Sequence, residues 1–189
     1  MTDPSATDQA SLPDRDALTA QGVAARARRP LTDQAAWKAS DRQADPVELI
    51  AEQATTRMPE LVPVRHGRMA VSAATFYRGA ALPMAADLAS HPNSGLKVQL
   101  GGDAHLSNFG LFASPERDLL FDMNDFDETL EGPFEWDIKR LATSCVVAAR
   151  ERGFAEHDGK HAAHVAVRTY RERMRTYAGM SALEIYYSH

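Results

Sequence analysis

The sequence predicts an α+β fold, mostly helical, with a short β-hairpin set among the helices. Three observations carry this. Apolar residues recur at helical spacing before residue 90 and again after residue 134. Between them lie short apolar runs at 96–100, 108–113 and 119–123, bounded by turn residues and too brief for helices. The chain has 189 residues, 44% hydrophobic and 25% charged, enough for one domain with its own core and little more.

Residues 1–44 are rich in Ala, Asp, Gln, Ser, Thr and Arg and poor in large apolar side chains. They can bury little, so the expectation is a disordered or loosely docked helical tail. Arg26, Arg28 and Arg29 form a solvated patch there, and Trp37 is its one candidate anchor to the domain. The domain proper spans 45–189. Asp45-Pro46 reads as a helix cap followed by proline at the first helical position, and Val47, Ile50 and Ala54 continue a helix over 46–57. Pro59 and Pro63 predict a loop to about residue 70. Ser72 caps a helix over 73–90, with Phe76, Ala80, Met84 and Leu88 on one face and Pro83 kinking or splitting it. Residues 91–95 form a turn. A strand over 96–100 ends in Gly101-Gly102, whose backbone freedom suits a chain entering a site. Strands over 108–113 and 119–123 are joined by Ser114-Pro115-Glu116-Arg117. Gly132-Pro133 breaks the chain before a helix from near Phe134 to Arg152, which Gly153 closes. A helix over 156–178 and a short one from Ser181 complete the chain.

Net charge is −5, and the acidic balance argues against a general nucleic-acid binder while suiting a site of carboxylates and magnesium. The single cysteine, Cys145, permits no intramolecular disulfide and reads as a small buried hydrophobe. The first twenty residues hold no apolar core of a secretory signal, and no stretch nears the ~20 apolar residues of a membrane span. The expectation is a cytoplasmic protein with no membrane partner.

The sharpest chemical signal is Gly102-Asp103-Ala104-His105-Leu106-Ser107-Asn108, followed by Asp125-Phe126-Asp127. An Asp and an Asn five apart, with a second Asp soon after, is how phosphotransferases of the protein-kinase type hold a hydroxyl and a metal–nucleotide. Asp103 could take the proton of an attacking hydroxyl, and Asn108 and Asp125 could hold divalent ions. His105 either fixes this loop or contacts a phosphate. Arg65, Arg68 and Arg78 either bind phosphate through their forked donors or pair with the acidic loop. The other residues open to metal chemistry are Asp122 and Asp127, which with Asp103 and Asp125 could also serve a metal-dependent phosphohydrolase.

These segments, with Val62-Pro63-Val64-Arg65-His66-Gly67-Arg68-Met69, Phe76-Tyr77-Arg78-Gly79, Phe121-Asp122-Met123-Asn124-Asp125 and Glu135-Trp136-Asp137-Ile138-Lys139-Arg140-Leu141, resemble the bacterial domain of unknown function 2252 family from about residue 22 onward. That family in turn resembles the aminoglycoside-phosphotransferase branch of the kinase-like fold. The resemblance implies a kinase-like catalytic lobe that uses Mg and ATP to phosphorylate a small-molecule or protein acceptor. It implies Asp103 as catalytic base, Asn108 and Asp125 as metal ligands, and Asp137 as a carboxylate tying the catalytic loop. Asp122 rivals Asp125, but only Asp125 has the branch's spacing to Asp137. The chain departs from the branch in two ways. Gly101 stands where a His is usual, and no glycine-rich phosphate loop or strand lysine is present, Lys97 being poorly placed for that role. The expectation is therefore a catalytic-loop lobe without its nucleotide lobe, with a partner chain covering the face so left. The alternative is a non-catalytic binding or scaffold module.

Overall fold

A computed structural model describes residues 14–188. The part of the expected tail at 1–13, with most of the stretch read for a secretory signal, lies outside the described residues. The fold is mixed α/β, mostly helical, with two small antiparallel sheets.

Where it is described, the tail is one α-helix followed by two short 3-10 turns, Leu31–Ala35 and Ala39–Asp41. Helix α1 (Arg15–Arg28) buries Ala25, and Arg28 Nη2 donates to the Ser94 carbonyl at 3.0 Å. Arg15 donates to the Ala178 carbonyl at the far end of the chain. Trp37 carries the Arg42 guanidinium 5.4 Å from its ring, and Arg42 forks onto Asp87 at 2.9 and 2.6 Å. Helix α2 (Pro46–Ala54) starts as read, with Asp45 Oδ1 accepting from the Val47 and Glu48 amides.

Two expectations are corrected in the next stretch. The loop predicted up to residue 70 contains helix α3 (Val62–Met69). Pro63 lies in its first turn, where an amide hydrogen has no intrahelical acceptor, so proline starts this helix instead of breaking it. The helix predicted over 73–90 is two, α4 (Ala73–Arg78) and α5 (Ala81–Ala89). The break falls at Gly79-Ala80, and Pro83 sits harmlessly in the first turn of α5. A side chain at Gly79 would meet Met69 Sδ at 2.6 Å, so a larger residue there would push the Met69 side chain aside. Arginines bond carbonyls at the break. Arg65 Nη2 takes Gly79 O at 2.8 Å and Arg140 Nη2 takes Tyr77 O at 3.0 Å.

Strand β1 (Lys97–Leu100) pairs with β4 (Leu130–Pro133), Lys97 opposite Pro133 and Leu100 opposite Leu130. The sequence gives β4 no strand signal, because Gly132-Pro133 reads as a break. A two-stranded sheet makes β4 an edge, which tolerates proline, and a side chain at Gly132 would strike Leu100 at 2.7 Å. Strands β2 (Phe109–Ala113) and β3 (Leu119–Met123) form a hairpin nested inside the first pair, with Phe109 opposite Met123. Helix α6 (Glu135–Glu151) follows β4 and packs on α7 (Glu156–Tyr177) across a short turn. Gly159 permits the contact, since a Cβ there would lie 3.0 Å from the Ala149 Cβ. Helix α8 (Ala182–Tyr186) begins at its Ser181 cap. Leu100, Ala104, Met69, Ala80 and Cys145 are buried, so the core runs beneath the loop that leaves β1. Among the described residues no helix is long and apolar enough to cross a membrane.

Nesting brings the segments after β1 and before β4 together. Gly102 has φ +82°, and a Cβ there would sit 1.9 Å from the Glu128 carbonyl oxygen. Replacing Gly102 with Ala combines backbone strain with a clash against main chain. The expected loss is at least about 1–3 kcal/mol, read as a lower urea midpoint with an unchanged slope.

Candidate functional site

The loop 101–108 is tied at nearly every residue. Asp137, in the first turn of α6, accepts the Gly101 amide at 2.8 Å and the Gly102 amide at 3.1 Å. This is the loop tie that the family resemblance implies for it. Ser144 Oγ, two turns along α6, accepts the Leu106 amide at 2.9 Å. Asn108 Nδ2 donates to the main-chain carbonyls of Asp103 (3.1 Å) and Asp125 (3.2 Å). The Asn124 amide donates to Asn108 O at 2.9 Å. One buried amide side chain therefore joins the two loops.

Asp103 is held by Arg140. Arg140 Nε and Nη2 both reach Asp103 Oδ1 at 2.5 Å, and the guanidinium is only 3% exposed. Arg140 also lies 4.7 Å from the Tyr77 ring centroid, and Tyr77 Oη donates to Arg140 O at 2.9 Å. Burial raises the Tyr77 phenol to about 12, so it stays a neutral donor. His105 is buried beneath the loop, its Nε2 3.5 Å from Asp103 Oδ2. Burial lowers its pKa, opposed by Asp103 and assisted by Arg140 and Arg78, so the ring is neutral near pH 7. Asp137 is shifted upward by burial, against the pull of its two amide bonds.

An open groove of about 1000 Å³ brings most of the sequence-predicted residues together. Asp103, Asp125, Asp127 and Glu128 line it, and so do Arg57, Arg65, Arg68 and Arg78. Arg57 reaches Glu128 at 4.0 Å, and Asp103 is matched by Arg140. Arg65 is spent partly on Gly79 O, but its Nη1 is buried with no partner. Burial and the neighbouring Arg57 lower the Arg65 pKa. In a chain of net charge −5, this wall concentrates positive charge. Asn108 and His105 lie behind the groove surface. Asp122 does not line it: it sits on β3 opposite Gly110 and accepts its own neighbour's amide, Met123 N, at 2.7 Å.

The family model described as "Uncharacterized protein conserved in bacteria (DUF2252)" matches residues 57–189. The chain belongs to this family. No curated protein and no solved structure matches it. The span matched to DUF2252 begins at Arg57, so all four groove arginines and both site loops belong to it, while Gln53 and Thr56 reach the groove from the segment before.

Arg140 and Arg57 were given no role from sequence. The signal for Arg140 was its place three residues after Asp137 on α6, hence on the same helix face as the carboxylate that ties the loop. No group of three or more His, Cys, Asp or Glu among the described residues is placed to hold a metal ion alone. Asn108 has spent its donors on carbonyls and keeps its amide oxygen. Asp125 spends Oδ1 on the Asp127 amide at 3.1 Å and keeps its second oxygen. An amide oxygen and a carboxylate are both donors that magnesium takes beside phosphate and water; Asp125 lines the groove, and Asn108 lies behind it.

Two outcomes are expected. Arg140→Met leaves the Asp103 carboxylate without its arginine partner, and should cost about 3–5 kcal/mol in denaturant unfolding. His105 has a folded pKa below its ordinary 6.5. Its contribution to stability is complete above that value and is lost as pH falls through the folded one, because the unfolded chain then binds the extra proton. The slope of stability against pH below 6.5 should flatten in His105→Gln.

Proposed function

We propose that this chain carries the catalytic loops of a kinase-like, magnesium-dependent phosphotransferase that moves phosphate from ATP to a hydroxyl or amine of a small-molecule or protein acceptor. The observation that carries the reading is the groove, where Asp103 and Asp125 share one cavity with Arg65, Arg68 and Arg78. Arg140 fixes Asp103 through Oδ1, and Oδ2, with His105 Nε2 3.5 Å away, is the oxygen to orient the acceptor and receive its proton. Asn108 and Asp125 are the residues that would hold magnesium, which when bound neutralises charge on the transferring phosphate. Arg65, with an unpartnered buried Nη1, and the two exposed arginines beside it supply forked donors to phosphate oxygens.

The two-metal phosphohydrolase is the weaker reading, because it needs bridging carboxylates and Asp122 stands outside the groove. The scaffold reading has one observation in its favour. Lys97 pairs with Glu131 at 3.6 Å, both are well exposed, and neither lines the groove, so Lys97 is no substitute for a nucleotide-binding lysine.

Calorimetric titration with ATP, with and without magnesium, separates these readings. A phosphotransferase site binds ATP in a magnesium-dependent way, loses that dependence in Asp125→Ala and keeps it in Asp122→Ala. Unchanged magnesium-dependent binding in Asp125→Ala would show that Asp125 is not the ligand. Binding that ignores magnesium throughout would favour the scaffold.

A further inference from the structure

One end of the groove wall holds two cations whose needs the protein leaves unmet. Arg65, on α3, bonds only neutral oxygens, Gly79 O at 2.8 Å and Gln53 Oε1 at 3.4 Å. The bond to Gly79 pins the guanidinium, and Nη1 stays buried without an acceptor. A buried N–H of a charged group costs free energy when it has no partner. A second cation stands beside it. After burial, the charge of Arg57 is what lowers the Arg65 pKa. Two like charges so close repel unless an anion lies between them. Glu128 is the carboxylate whose charge reaches both, and it answers them poorly. It meets Arg57 only at 4.0 Å, beyond hydrogen-bond reach, with the two side chains 39% and 41% exposed. Gln53 adds a neutral donor. Its Oε1 is taken by Arg65, while its Nε2 makes no bond among the described residues. Gln53, Arg57, Arg65 and Glu128 all line the same groove.

We infer that Gln53, Arg57 and Arg65 form a binding site for a phosphate group, and that Glu128 holds Arg57 until the phosphate takes its place. A phosphate monoester brings close to two negative charges and three oxygens, which suits two forked guanidiniums and an amide. Arg65 Nη1 has no exposed surface, so the phosphate reaches it as Arg57 turns away from Glu128. An exposed ion pair of this kind is weak and exchanges at little cost. The site uses neither Asn108 nor Asp125, and Gln53 comes from the segment before the span matched to the family. It rests on the phosphotransferase reading only in sharing Arg65, and its test needs neither magnesium nor ATP, so the two can fail separately.

Calorimetric titration of the purified chain with inorganic phosphate, in magnesium-free buffer at constant ionic strength, tests the site. Saturable binding is expected. Arg57→Gln should weaken it about tenfold or more, the loss of one contact to a charged group. Glu128→Gln releases Arg57 and should tighten it about two- to fivefold. Both positions are exposed, and an unchanged far-UV spectrum checks that each variant folds. Arg171→Gln, on α7 outside the groove, removes the same charge and should leave binding as it was. Absence of saturable binding overturns the inference. Equal weakening in Arg57→Gln and Arg171→Gln overturns it too, since the attraction would then be to net charge alone. Binding that Glu128→Gln fails to tighten removes the role given to Glu128. Adding MgATP identifies the source of the phosphate. Displacement assigns the site to the phosphates of the nucleotide, and phosphate that stays bound beside MgATP assigns it to a phosphorylated acceptor. A chain that binds phosphate and no ATP would sink the phosphotransferase reading and leave this site standing.

Discussion

The Arg140 guanidinium is the constraint on which the rest of the site depends. It is almost wholly buried, so its charge must be answered by the protein. Asp103 answers the charge, while the Tyr77 and Ala80 carbonyls, at the junction of α4 and α5, take the other donors. One side chain thereby joins three pieces of the chain: α6, the break between α4 and α5, and the loop after β1. None can move away without weakening the pairing of a buried charge. Arg65 does the same on a smaller scale, linking α3 to Gly79. The candidate site is thus held by buried polar contacts more than by apolar packing, and Leu100 is the largest fully buried side chain among the described residues.

This arrangement also sets the electrostatics of the groove. Asp103 and Glu128 have cationic partners of their own, so the acidic side is left with Asp125 and Asp127, and the basic side with Arg65, Arg68 and Arg78. Burial keeps His105 neutral behind Asp103, which spares the loop a second positive charge beside Arg140.

Much of this was legible in the sequence wherever the cause was local. Asp45, Ser72 and Ser181 start helices because their side chains bond amides two or three residues ahead. The β2–β3 hairpin follows from its turn residues and its short apolar runs. The readings failed where a residue's neighbours lay far along the chain. Pro63 and Gly132-Pro133 look like breaks until α3 has a first turn for the one and β4 an open edge for the other. Gly79 caps α4 and Pro83 lies within α5, so the division falls at Gly79-Ala80 and not at the proline. Asp103, Asn108 and Asp125 could be named from spacing, but the arginine opposite Asp103 and the exclusion of Asp122 from the groove are properties of the assembled fold.

The nesting of the two hairpins bears on how the site comes to exist at all. The β2–β3 turn joins residues 113 and 119, so its ring is short and closes at little entropic cost. Once it has closed, Asn108 and Asn124 are already neighbours. The gap between Leu100 and Leu130 then spans only the two site loops instead of the whole intervening chain. Each closure shortens the next, as in a zipper, so a pairing that looks distant in sequence is reached by local steps. The two site loops are therefore set side by side by the hairpin that they flank.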